Sequence, residues 1–368
     1  MTNPSFTKLA ATVWPAAATD TDKDDIHTYG LEIEAALNAL FSRTPIINGT
    51  FVPSVGSNVL TIAIKTLAGA DPSATDPVYV DFRHATQTNG QGTVLEITAA
   101  VSFTMSAGAT GGFTDGIHGR LWVVLFNDAS TPRIGVMNAY GGAGGVIHPL
   151  YPSLVATSTD EAGDGSADSA GVIYTDTAVT SKSFVVLGHM TWETVLATAG
   201  LWSAAPDVVH QQRFGDRLPG DLIQRRATET AAVATGTTTM ALDDTIPQNT
   251  EGDEIQTQAI VPESAANILE IAHEGAYASS VANALIGAIF QDSTAGALAA
   301  RSMEVSDVDA TKVLLLSHRM LAATVSSTTL KVRAGPSSAA TVTFNGANAA
   351  RTFGGVNTSR LEIVERMA

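Results

Sequence analysis

The stretch "LDDTIPQNTEGDEIQ", Leu242 to Gln256, gathers Asp243, Asp244, Glu251, Asp253 and Glu254. Converging carboxylates of this kind suit either of two chemistries. They can hold a hard cation such as calcium, which takes roughly six to eight oxygen ligands. Two of them at glycosidase separation can instead hydrolyse a sugar bond. A second acidic segment, "TDEAGDGSADSAG", offers Asp160, Glu161, Asp164 and Asp168, but not at the spacing of an EF-hand. A solvated loop is preferred there, so no metal is assigned. Asp160, Asp164 and Asp168 are the ligands to test if one binds. The eight histidines are scattered, and His273-Glu274 is the one neighbouring His–carboxylate pair. In a strand those two side chains point to opposite faces, so His273 reads as a satisfied surface or interface residue. G-x-S-x-G, H-E-x-x-H, G-x-x-x-x-G-K and G-x-G-x-x-G are all missing. Ser5 to Lys8 matches S-x-x-K, but in a segment read as a flexible tail. Without cysteine there is no thiolate nucleophile and no Cys-based metal site. No catalytic residue and no cofactor are assigned.

The elements that would position these residues follow from composition and period. Of 368 residues 45% are hydrophobic and only 15% charged, against about 25% charged in ordinary globular chains. Polarity comes instead from Thr, Ser, Asn and Gly, which suit strands and turns. The formal net charge of −16 argues against nucleic acid and anionic lipid as partners. No apolar run reaches the length of a membrane span, so no membrane insertion is expected, and the first residues lack the pattern of a signal peptide.

Within 22–42, Ile26, Tyr29, Ile33, Leu37 and Leu40 recur at helical steps, giving one apolar stripe that Pro45 ends. That amphipathic helix is expected to pack on a neighbour. The neighbour is either the chain's own β domain or copies of the helix in a short coiled coil. From residue 46 the period becomes two. "NVLTIAIKT", "PVYVDFR" and "TVLEITAAVSFTM" read as half-buried strands. "GRLWVVLFND" is apolar on both faces, which places it inside a sandwich or at a subunit contact. The expected fold is mainly β: an N-terminal arm and helix (1–45), a first antiparallel β-sandwich domain (46–212), a connector (213–232) and a jelly-roll-like second sandwich (233–368). The connector carries Arg213, Arg217, Arg225 and Arg226, interrupted by Asp216 and Asp221, and reads as solvated or self-paired. "SSVANALIGAIFQD" fits a helix or a strand, and its β-rich surroundings favour strand.

The run "ATGTTTMALDDTIPQNTEGDEIQTQAIVPESAANILEI", followed by "AIFQDSTAGALAA", resembles a module of tail-fibre and appendage proteins of tailed bacteriophages, whose mark here is "DDTIPQNTEGD". The likeness is long over Ala234 to Ala300 and extends upstream through "LTIAIKTLAGADPSATDPVYVDFR" and "GVIYTDTAVTSKSFVVLGHMTWETVLATAGLW". It implies a non-enzymatic virion protein, a homotrimeric tail fibre or receptor-binding appendage. One end would join other virion proteins and the other would present loops to a host glycan or protein. The 22–42 helix would serve attachment or trimerisation. Tyr140, Asn345, Arg351 and Phe353 would sit on receptor-facing loops. A capsid head fibre or decoration protein is the alternative, and a glycan depolymerase using the acids above is a remote third. In the appendage reading, Pro247 and Gly252 shape a turn between two strands, and Asn249 and Thr250 cap its backbone.

Overall fold

The computed structural model describes residues 44–84, 91–142, 145–152, 154–163 and 167–368. The helix expected to carry Ile26, Tyr29, Ile33, Leu37 and Leu40 lies outside them, as does Asp164. Among the described residues the chain is mainly β, and its helical content is one three-residue 3-10 turn, Phe353–Gly355.

Two small antiparallel sheets open the first half. One joins Ile46–Ile47, Val78–Arg83 and Gly92–Ile97, and the other joins Gly49–Gly56, Val59–Thr66 and Val101–Met105. In Val59–Thr66 the buried residues alternate strictly, as the period-two reading requires. These sheets share one core with a larger sheet centred on Gly119–Asp128, which pairs with Thr131–Met137 on one side and Lys182–Trp192 on the other. Leu121, Val123 and Leu125 face that core. Trp122, Val124 and Phe126 face away from it but are equally buried, in a second cluster with Leu150, Ile173 and Val179. The two-faced apolar strand is thus buried on both sides, and the outer cover comes from its own chain, including Leu218 and Met367.

In the second half, Leu222–Thr230, Ser359–Arg366, Ile268–Ser279 and Lys312–Leu321 pair in that order. They face a four-stranded sheet of Asp253–Ile260, Thr328–Pro336, Asn283–Gln291 and Ala299–Val305, with a shared core between. The segment read as ambiguous is the strand Asn283–Gln291. Half of the expected connector is also strand, because Leu222–Thr230 pairs along its length with Ser359–Arg366. It shows no apolar period because much of it is exposed at a sheet edge. Side chains tie that edge to the facing sheet. Gln256 Nε2 donates to the carbonyls of Thr228 (3.2 Å) and Ser359 (3.0 Å), and Thr228 Oγ1 donates to Gln258 Oε1 at 2.6 Å.

Asn283–Gln291 is buried along nearly its whole length, and the Leu242–Gln256 stretch explains why. One face of the strand meets the shared core. The other carries Ile286, Ala288 and Phe290, packed under Met240 and Ala297. The chain from Gly236 to Asp253 therefore lies as a strap over the outer face of the four-stranded sheet. Its ends are tied by Met240 N–H to Pro336 O (3.0 Å) and by a bridge between Gln248 and Gly296. The strap approaches so closely that a Cβ on Gly335 would stand 2.3 Å from Thr238 O. Met240→Ala is predicted to destabilise the protein by about 2–5 kcal/mol, the usual range for emptying a buried methionine site. Equilibrium urea unfolding measures it.

Candidate functional site

Asp243, Glu251 and Asp253 bind main-chain N–H groups, whereas Glu254 pairs with Lys331 at 3.5 Å. Asp243 Oδ1 accepts from Thr245 N (2.9 Å) and from its hydroxyl (2.6 Å), bonds that hold this exposed carboxyl below its ordinary pKa. Glu251 Oε2 accepts from Gln248 N at 2.6 Å. Asp253 accepts from Thr238 N (3.0 Å) and from Thr238 Oγ1 (2.8 Å). Arg333 then clamps the carbonyls of Glu251 and Gly252 at 2.8 and 2.7 Å. Asn249 does not cap its own turn: Nδ2 reaches the carbonyls of Ser293 and Thr294. The second acidic segment behaves similarly. Asp160 accepts from Ala162 N, Asp168 from Thr110 N, and the buried Glu161 from Ser106 and Gly163. Among the described residues no group of three or more His, Asp or Glu is placed to hold a metal ion.

His273 is a core residue, against the surface or interface reading. It is 2% exposed, and Nε2 meets the Tyr277 hydroxyl at 2.5 Å. Gly275 between them leaves room for the tyrosine ring, since a Cβ there would lie 3.0 Å from it. Burial pushes His273 down to about 4 and raises Tyr277.

Polar groups converge instead where the two halves meet, around a cleft of about 500 Å³. A β-bulge positions them. The pairing of Lys182–Trp192 with Gly119–Asp128 slips between Val186 and Gly188. Gly188 has φ +150, and a Cβ there would lie 1.9 Å from His210 O. The slip reverses which residues face the core: Val185 and Leu187 do before it, Met190 and Trp192 after it. His189 and Thr191 are thereby turned to the outer face, opposite Trp122 and Arg120.

Arg120 is 4% exposed. Its Nε donates to Thr191 Oγ1 (3.0 Å), Nη1 to Asn267 Oδ1 (2.9 Å) and to Ala368 O (3.3 Å), and Nη2 to Ser264 Oγ (3.1 Å). Trp122 Nε1 donates to the same Ala368 oxygen at 2.8 Å. Glu193 reaches across beside it, accepting from Ser264 Oγ (2.5 Å) and Ala265 N (2.8 Å). Asn267 passes the contact on to the fully buried Glu365 (2.7 Å), which also accepts from Glu263 N and Gln224 Nε2. Burial lowers the Arg120 pKa to about 10, opposed by Glu193, Glu263 and Glu365, so the guanidinium is charged at neutral pH.

His189 is driven down to about 2 by burial first, then by Arg120 and His210. Thr191 Oγ1, which accepts from Arg120 Nε, also shares a hydrogen bond with His189 Nδ1 at 3.2 Å. His210 stacks on His189 with centroids 5.0 Å apart and bonds Asp216 Oδ2 through Nε2 at 2.8 Å. Two of the four connector arginines pair outside the connector, Arg217 with Glu263 (2.9 Å) and Arg225 with Glu362, while Arg226 donates to Gln224 within it.

The four expected loop residues separate. Tyr140 is half-buried at the junction, where Arg319 donates to Gly145 O on the same hairpin. Burial raises its pKa, with Arg319 opposing. Asn345 is 2% exposed, and its amide bonds the carbonyls of Thr230 and Ala232, so it shapes the loop and cannot meet a receptor. Arg351 is exposed, and Phe353 is 78% exposed at φ +49, a strained setting for a bulky residue. Of the cleft residues only Asp216 and Arg217 stand out in the sequence, as members of the connector. The readable signals are the lone glycine inside "SFVVLGHMTWE" and the arginine heading a two-faced apolar strand.

No protein-family model matches the chain, and no curated protein matches it. Among solved structures, that of the infectious bursal disease virus Gx strain is 12% identical at TM-score 0.22, with 88% of this chain and 78% of that one covered. The infectious bursal disease virus VP2 subviral particle is also 12% identical at 0.22, covering 91% and 82%. The insecticidal delta-endotoxin Cry8Ea1 of Bacillus thuringiensis is 8% identical at 0.19, covering 87% and 51%. Likenesses at such TM-scores carry no argument about this chain.

Two predictions arise from the junction. Arg120→Met removes one partner of a buried charged network and is expected to destabilise by about 3–5 kcal/mol. Calorimetry should then show the halves unfolding in separate transitions. The second concerns acid. His189 and His273 have folded pKa values below the ordinary 6.5, so unfolding takes up protons once the pH falls below that value. Stability therefore declines with acidification, down to about 4 for His273 and about 2 for His189. Each contributes a slope approaching about 1.4 kcal/mol per pH unit. His189→Gln should flatten the pH dependence of urea-unfolding free energy in that window, and an unchanged slope would refute the assignment.

Proposed function

We propose that this chain is a structural component of a bacteriophage virion, a tail fibre or receptor-binding appendage that contacts the host surface and carries out no catalysis itself. The observation that carries this reading is the use made of the acids in the "DDTIPQNTEGD" segment. Asp243, Glu251 and Asp253 each hold main-chain N–H groups, and the segment is a strap over a sheet. The stretch that most resembles appendage proteins is thus architectural, in keeping with a β-rich particle protein.

The ends of the second half support a polarity. Arg366 donates to Gly220 O at the junction, while Ser359, at the other end of the same strand, pairs with Thr230. Seven residue steps of strand separate them, about 23 Å. The Arg351–Val356 tip precedes Ser359 and so stands at the far end from the first half. There Phe353 and Val356 are 78% and 81% exposed, with Arg351 lying across Gly355. In this reading the N-terminal end, helix included, meets other virion proteins and copies of the chain in a homotrimer. The Arg351–Phe353 tip faces a host glycan or protein.

Purified protein is expected to be trimeric by light scattering, to be located on the particle by antibody labelling in electron microscopy, and to block phage adsorption. Phe353→Ala should weaken that block roughly tenfold, about 1.4 kcal/mol of contact energy, with the unfolding midpoint unchanged. Absence from the particle sinks the proposal. Presence on the capsid alone makes it a head fibre or decoration protein.

A further inference from the structure

We propose that the cleft between the two halves is a binding site for a neutral, polyhydroxylated ligand the size of a mono- or disaccharide, apart from the Arg351–Phe353 tip. The inference rests on the appendage reading only for the source of such a ligand, a host surface glycan. Its chemistry comes from the cleft. The volume of about 500 Å³ lies within the range of small-molecule sites, and it is built from both halves and the connector. Its charges largely offset: Arg120 and Arg217 stand with Glu193, Asp216 and Glu263. A strongly ionic ligand would therefore meet like charge whichever its sign.

What remains open is an alternation of single donors and acceptors. Asp216 uses Oδ2 for His210 and Arg213 N, which leaves Oδ1 without a hydrogen bond among the described residues. Glu263 uses Oε2 for Arg217, which leaves Oε1. The second Nη of Arg217 is a donor without a bond in the same set, and His189 Nε2 is a ring nitrogen without one. Carboxylates and a guanidinium with one edge free suit vicinal hydroxyls, each of which gives and accepts a hydrogen bond. The His210 ring supplies the apolar element. One face stacks on His189, and its 41% side-chain exposure leaves the ring reachable for the C–H face of a sugar. The rim at Gly215 is open, since a Cβ there would meet nothing within 4 Å. The floor does not need to move: Arg120, Thr191, Ser264 and Asn267 are buried and mutually bonded.

The test is a titration of the full chain with maltose, lactose and cellobiose at millimolar concentration. It is read from the imidazole carbon-bound proton resonances by NMR. At least one sugar is expected to give a saturable shift of the His210 signal. Val208→Trp, which fills the rim without touching the buried floor, and Glu263→Gln should each weaken the dissociation constant by about tenfold or more. Val208→Trp is exposed enough (41%) to leave folding intact, which the thermal midpoint verifies. The proposal is overturned if no sugar shifts the resonance, or if binding survives both variants. It is equally overturned if Phe353→Ala alone abolishes binding, which would place the sugar on the tip and leave the appendage reading standing. Loss of the appendage reading would show instead as absence from the particle.

Discussion

A guanidinium taken out of water loses hydration that real proteins recover only through fixed, well-aimed acceptors. Arg120 has such acceptors only while Thr191, Ser264, Asn267 and the Ala368 main chain stand together, and these come from distant parts of the sequence. That requirement sets how the two sheet systems meet. It also explains the surrounding choices. Glu193 crosses to the same loop, Glu365 is fully buried behind Asn267, and the final residues lie on the outer face of the first large sheet, where Trp122 bonds Ala368. A sheet apolar on both faces needs an outer cover, and the chain supplies it by returning its last strand to the junction.

The bulge at Gly188 makes this geometry available to a strand that would otherwise put His189 into the core. One inserted residue turns the polar pair His189 and Thr191 outward while Met190 and Trp192 go inward. Gly188, next to the inserted Leu187, has no room for a side chain, because His210 O occupies the place of its Cβ. Local irregularity, polar network and cleft thus have a single cause, and the stacked histidines are a consequence of it.

The mainly β class, the strand at Asn283–Gln291 and the two-faced burial of Gly119–Asp128 were legible because they depend on period and apolar content, which are local. Leu222–Thr230 was not legible, since an exposed edge strand is held by its partner and has no pattern of its own. The strap was not legible either. Met240 and the Gln248–Gly296 bridge are long-range contacts, and a turn-rich segment looks the same whether it hangs free or lies across a sheet. Asn345 was misread for a related reason: its amide answers carbonyls more than a hundred residues away. The cleft was hidden because its members fall in separate strands and a connector, none with a motif.

Acid-rich loops in such a protein pose a general ambiguity. Every strand that ends leaves N–H groups without a ladder partner, and a carboxylate is the strongest neutral-pH acceptor for them. A β-rich chain therefore gathers aspartate and glutamate at strand ends for reasons of backbone satisfaction alone. What separates a cap from a ligand-facing acid is the partner. Asp243, Glu251 and Asp253 each meet an N–H within a few residues or along the same strap. Asp216 and Glu263 each hold a cap or an ion pair with one oxygen and keep the other at the wall of a cleft. Counting acids along the sequence points to the strap, whereas following their oxygens points to the junction.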